Sequence, residues 1–350
     1  MNDTASTPVA NSDPTEDGAL ATVGNALTDL VTGVPAPVRN NALKAFGRLC
    51  TAAVEIPAAY LEGIAEEKRA ESSARVRLIK ATADQIAGQL TVDPGYAHAA
   101  VKKFGARVLR EQINLDMVSE AAAADLRSKA EPAESGSTAK NDGPAISEDW
   151  LNAFEREASQ KTTAEMQLLF GRILAGEIRK PTRFSIRTVK LASELDNSTA
   201  NLFLRLCSLS ISLRAQAHVL DARVFALGGN ASANSLSPYG LNFDQLNILH
   251  EYGLIIPDYN SHFDYRLAVT NSQGLATLGI TYQNRTWVLV PSTERAPDQE
   301  LRLSGVRLSK AGTELLPILD LQVDDSYTAA ITDYFSKINL QLTEVVTKHE

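Results

Sequence analysis

The chain has 350 residues, a formal net charge of -8 and an aromatic content of 6%. That length can bury a sizeable core and suggests two domains. The acidic balance argues against a general nucleic-acid coat, which needs a basic surface, but leaves room for a local basic patch.

Residues 1–18 are rich in Asn, Asp, Thr, Ser and Pro without apolar periodicity, and are expected to form a disordered tail. No charged start followed by an apolar run marks a signal peptide at Met1, and no run approaches the ~20 apolar residues of a membrane span. The expected location is cytoplasmic. A short helix over 19–31 is followed by the breakers Gly33, Pro35 and Pro37. Asn41 to Ile56 is amphipathic, with Leu43, Phe46, Leu49, Cys50, Ala53 and Val54 on one face and Lys44, Arg48 and Glu55 opposite. Packing on neighbouring helices is preferred over a membrane surface, which would want more basic residues on the polar face.

Ala58 to Leu90 reads as a long helix with Ile79, Ala83, Ile86 and Leu90 along a seam. Asp93-Pro94 then starts a helix to about Leu126, with Ala97, Val101, Phe104, Val108 and Leu115 on a matching seam. The two form an expected helical hairpin module over 19–127. Ile79, Ile86, Leu90, Val101, Phe104 and Val108 are its candidate oligomer seam, since a lone pair of helices leaves one side of the seam wet. Residues 128–146 are polar and rich in Pro, Gly and Ser, and read as a flexible linker.

Residues 147–350 are expected to form an α+β domain, helical over 147–227 and winged-helix-like over 235–350. Ser147 is an N-cap candidate, with Trp150, Phe154 and Ala158 inward. Thr162 and Glu165 fit a capping box for a helix carrying Met166, Leu169, Phe170, Ile173 and Leu174 on one side. Ser185 and Ser198 cap two further helices, the second read through Leu213. The motifs DWLNAFEREA and LLFGRILAGEIRKPTRFSIRTVKLASELD, over 149–158 and 168–196, resemble an uncharacterised bacterial family, domain of unknown function 2806. The resemblance rests on Asp149, Trp150, Phe154, Gly171, Arg172, Leu174, Ala175, Gly176, Glu177, Pro181, Phe184 and Ser185, and brings no catalytic residues with it. The N-terminal helices are also similar in style to abortive-infection proteins of the alpha type, which implies a role in phage defence.

Asn242 caps a helix with Phe243, Leu246 and Leu249, ended by Gly253. β-rich runs follow at 265–269, 275–282, 286–290 and 301–308, then helices from Ser309 and from about Asp325, and a final strand over 338–346. GLI at 253–255 and LSKAG at 308–312 resemble the end of a winged helix, with a much longer stretch between them than a wing. The overall class expected is mostly α.

Five histidines are scattered and two cysteines lie far apart, so no zinc motif forms. Phosphate loops, dinucleotide fingerprints and nucleophile elbows are likewise missing from the sequence. No enzyme activity and no cofactor are expected. Arg179, Lys180, Arg183, Arg187 and Lys190 make the one basic cluster, beside the helix start at Ser185, where a phosphate or nucleic acid could be held. The favoured function is a non-enzymatic interaction or effector protein, a homo-oligomer with an unidentified protein partner. A DNA-binding regulator ranks second and a peripheral membrane effector third.

Overall fold

The structure is a computed structural model that describes residues 35–50, 94–129, 144–215, 218–296 and 298–345. The expected tail, the helix over 19–31 and the first hairpin helix lie outside the described residues, as do Ile79, Ile86 and Leu90. By contact the chain divides into two units, Met1–Arg183 and Phe184–Glu350. The boundary expected at 128–146 falls largely on undescribed residues. The helices on either side of it pack on each other, and the first unit therefore runs on to Arg183.

Four described helices build the first unit: α1 (Ala36–Leu49), α2 (Pro94–Ser128), α3 (Glu148–Ala158) and α4 (Ala164–Arg179). Helix α1 buries Ala42, Ala45, Phe46 and Leu49, which share one face. Its basic residues tie to α3, with Lys44 Nζ 2.8 Å and Arg48 Nη1 2.7 Å from the Glu148 carboxylate. Asn41 is buried and closes the strand-like lead into α3: its Nδ2 donates to the Pro144 carbonyl at 3.2 Å and its Oδ1 accepts from Ile146 N at 3.1 Å.

Helices α2 and α4 touch closely because Gly171 has no side chain. A Cβ there would lie 2.5 Å from that of Ala121. Asn114 Nδ2 fastens α2 to the Ser159 carbonyl at 2.8 Å, and Phe154 of α3 packs on Phe170 of α4. The N-cap of α4 is Thr163 rather than Thr162, and its side chain accepts from Met166 N.

The second unit overturns the mostly α expectation. Its helices are α5 (Ile186–Glu194), α6 (Asn197–Leu209), α7 (Phe243–Glu251), α8 (Lys310–Leu315) and α9 (Asp325–Lys337). Its described strands are β1 (Ile211–Ala215), β2 (His218–Phe225), β3 (His262–Asp264), β4 (Gly279–Tyr282), β5 (Arg285–Pro291), β6 (Arg302–Arg307) and β7 (Leu340–Glu344). They form one curled half-barrel sheet in the order β3-β6-β2-β1-β4-β5-β7, antiparallel throughout. The class is α+β.

The strands β1 and β2 sit in the middle of this sheet, in a region read as helical. Helix α6 stops at Leu209, and Leu213 is a strand residue. Ile211, Ser212 and Leu213 are all buried, so the alternation that advertises a strand is lost there. Asp196, not Ser198, caps α6. Gln283 and Asn284 both have positive φ and make the two-residue turn between β4 and β5. Residues 266–268 form one 3-10 turn where a strand is expected. Gly305 permits β6 to lie against β2, since a Cβ would sit 2.0 Å from the Val224 carbonyl oxygen.

The winged-helix expectation fails with the fold class. Its two motifs do meet: Ile255 bridges Leu308, Ser309 Oγ donates to the Gly253 carbonyl at 2.6 Å, and Gly312 packs against the Leu254 carbonyl. The residues between them build β3, β4, β5 and β6 of the larger sheet instead of a two-stranded wing.

Candidate functional site

The five basic residues singled out in the sequence divide between the units. Arg179 is an internal tie: its Nη1 lies 2.7 Å from Asp125 Oδ2 and its Nη2 donates to the Asp125 carbonyl, joining α4 to α2. Burial pulls the Asp125 carboxyl up, but Lys129 and Arg179 together outweigh it and hold it below its ordinary value. Lys180 is exposed at the end of α4, and Arg183 is half-buried in the turn that follows.

Arg187 and Lys190 are exposed on α5 in the second unit. The start of α5, where a phosphate was the sequence-based candidate, already faces an anion. Glu314 of α8 accepts from Ser185 N at 2.8 Å and from Thr188 Oγ1 at 2.6 Å. Ser185 Oγ accepts from Thr188 N as the ordinary cap. A carboxylate in that position satisfies the helix start and repels a second anion. Glu314 comes from far along the chain, and no local signal pointed to it.

A buried charge cluster lies between β2 and β6. Arg223 and Asp221 are both buried, two residues apart on β2 and therefore on one face. Arg223 reaches Asp221 through Nε at 2.5 Å and Nη2 at 2.8 Å, and its Nη1 donates to the Leu303 and Ser261 carbonyls. Tyr265 donates to Asp221 at 2.9 Å, and Arg307 lies 3.3 Å from its other oxygen. Burial and then the Asp221 charge push the Tyr265 hydroxyl well above its ordinary range. With its oxygens already accepting from Arg223 and Tyr265 and ion-paired with Arg307, Asp221 acts as a clamp and not as a general base. Its sequence signature is Asp-x-Arg on a strand, hidden because the segment reads as helical.

A second polar group has the same character. Asp324 caps α9 through Tyr327 N at 2.7 Å and pairs with Arg205, whose Nε donates to the Tyr239 carbonyl at 2.8 Å. Burial raises the Asp324 carboxyl, but the Ser326, Tyr327 and Arg205 donors prevail and lower it. Among the described residues no three His, Cys, Asp or Glu side chains come together as a metal site, and no helix is long and apolar enough to cross a membrane.

Among the described residues, most of the large apolar side chains that the first unit leaves exposed are on α2; Leu168 of α4 is a further one. The core-facing residues Leu115, Val118, Ser119, Ala122, Ala123 and Leu126 occupy only the C-terminal half of α2. In the N-terminal half, Phe104 and Val108 of the expected seam are exposed; the side chain of Val101 is outside the described residues. On a different face, Leu109, Ile113 and Met117 are 60%, 43% and 39% exposed at four-residue spacing. Lys102 and Arg110 flank this stripe toward one end, Asp116 and Glu120 toward the other.

The molecule is therefore an α+β protein whose described charged clusters hold the fold together and whose exposed apolar stripe lies on one long helix. A family model described as "Protein of unknown function (DUF2806)" matches residues 100–332, and the chain belongs to that family. The match runs from the exposed half of α2 into α9. No curated protein and no solved structure matched in the searches made against them, and the abortive-infection resemblance finds no support in the comparisons.

Proposed function

We propose that this chain is an interaction protein and that the outer stripe of α2 is its docking surface. One observation carries the reading: Leu109, Ile113 and Met117 stand exposed in line on a helix whose opposite side is packed from Leu115 onward. Scattered exposed apolar residues are ordinary, but a contiguous stripe rimmed by charge is the usual mark of a contact surface. Two further facts favour it over the alternatives. The apolar face of α1, the candidate membrane helix, is taken up by packing within its unit. The helix start at Ser185, the candidate phosphate site, faces Glu314.

The test is a photo-crosslinking amino acid placed at Ile113 in the full chain, in cells. Leu275, which is more exposed but sits in a loop of the second unit, is the control position. Protein adducts from position 113 and not from 275, lost when Met117→Glu is added, are expected. Equal labelling from both positions, or adducts to lipid only, would overturn the reading.

A further inference from the structure

Arginines of the second unit typically end on a carboxylate, as Arg205 does on Asp324, Arg223 on Asp221 and Arg285 on Glu344. Arg214 on β1 does not. It is half-buried, and its Nε is enclosed without a hydrogen-bond partner among the described residues. A buried donor that gives up water without gaining an acceptor is destabilising, and a charged one more so. An enclosed guanidinium nitrogen in that condition points to a ligand that supplies the acceptor.

The strand register shows what stands around it. Arg214 lies opposite Gly279 of β4; two residues back, Ser212 lies opposite Thr281, which in turn lies opposite Thr286 of β5. Residues opposite each other in an antiparallel ladder, and residues two apart on a strand, share a face. Arg214, Ser212, Gly279, Thr281 and Thr286 therefore occupy one side of the sheet. The carboxylates of β2 and β7 are on the other side: Asp221 is opposite Leu213, and Glu344 is opposite Trp287, which pairs through Ile280 with the same Leu213. Asp264, on the far edge strand, is taken by Arg266. Two local features shape the patch. The register of β1 on β2 shifts between Leu213 and Arg214, a bulge of the kind that re-aims a side chain. Gly279 leaves the place opposite Arg214 open: beyond its chain neighbours, a Cβ there would meet only Thr286 Cγ2 at 3.0 Å and the Trp287 carbonyl oxygen at 4.0 Å.

We propose that this notch binds the phosphoryl group of a small molecule, at a site independent of the docking face on α2. Arg214 supplies the charge and the enclosed donor, and the Thr281 and Thr286 hydroxyls donate from the next two strands. Neighbouring strands stand roughly 4.8 Å apart, so donors on three of them suit an anion whose oxygens point several ways. A planar carboxylate has two oxygens and meets fewer of these donors. The acidic residues that occupy the helix start at Ser185 have no counterpart on this face, so an incoming anion is not repelled.

The experiment is equilibrium dialysis of the full chain at fixed ionic strength, with inorganic phosphate and, separately, adenosine monophosphate as probes. Saturable binding is expected. Arg214→Met should weaken it about 10-fold or more, the usual loss for a charged hydrogen bond. Arg214→Lys keeps the charge but not the fork of donors, and should fall between the two. Thr286→Val removes a neutral donor and should weaken binding about 3-fold. Thr286 is exposed, so this variant should melt as wild type does and its effect is read on binding alone. Arg187→Met, on the exposed surface of α5, should bind as wild type does. Tighter binding of adenosine monophosphate than of phosphate would assign the group to a phosphorylated small molecule, and equal binding would assign it to free phosphate. No saturable binding of either probe, or binding left unchanged by both Arg214→Met and Thr286→Val, would overturn the site.

Discussion

Arg223→Met should destabilise the second unit by about 3–4 kcal/mol. Breaking a buried ion pair from one side typically costs roughly 3–5 kcal/mol, because the remaining charge stays out of water. Arg223 makes two contacts to Asp221 and two to the carbonyls of Leu303 and Ser261. After the substitution Asp221 keeps Tyr265 and the half-exposed Arg307, which places the loss toward the lower end. The two tryptophans offer a clean readout, since Trp150 lies in the first unit and Trp287 on β5 of the second. In a Trp150→Phe background, denaturant unfolding followed by fluorescence reports the second unit. Adding Asp221→Asn to Arg223→Met removes the stranded charge, so the double variant should be more stable than the sum of the two single losses implies. A loss under about 1 kcal/mol, or strict additivity, would refute the clamp, because pairs that are in contact couple.

Phe170→Ala should cost the first unit about 3–5 kcal/mol in chemical unfolding, the usual loss for a buried phenylalanine; an unchanged midpoint would mean its contact with Phe154 is not made. Gly171→Ala should cost about 1–3 kcal/mol in the same assay by forcing α2 and α4 apart, and a neutral result would show that the helices separate freely. Asp196, held to about 2 by the Thr199 backbone donor first and by Ser198 and Tyr252 after it, should titrate near that value in NMR. Its folded pKa is lowered, so its contribution to stability is present above the ordinary carboxylate range and is lost as pH falls through about 2; a midpoint near 3.8 would contradict the cap. Proteolytic cleavage within 130–143 should leave the two pieces associated on gel filtration, since α2 packs on α4 across it; separation of the pieces would contradict that packing.

Much of the helical architecture was legible in the sequence, because caps and faces are local chemistry. Ser185, Asn242, Ser309 and the start of α9 follow from a side-chain oxygen placed ahead of an apolar period. The inward positions of Trp150, Phe154 and Phe170 follow from spacing alone. What escaped depends on partners remote in the chain. Strands β1 and β2 continue from α6 with only Ser210 between, and burial on both sides erases their alternation. Asp221 and Arg223 meet Leu303 and Arg307 through that unseen sheet, and Glu314 reaches Ser185 across more than a hundred residues. The exposed stripe escaped for a different reason. A seam through Phe104, Val108 and Leu115 is visible in the sequence, but only Leu115 of the three is buried, and the outer face of Leu109, Ile113 and Met117 stands out only once the packing of the C-terminal half is known.

The central claim is that the outer face of α2 is a protein contact, and a photo-crosslinking residue at position 113 of the full chain tests it most directly. Position 275 should be labelled side by side as the control. The account gives protein adducts from position 113 and not from 275, lost on addition of Met117→Glu with the melting temperature unchanged. Equal labelling from both positions, or adducts to lipid only, would contradict it.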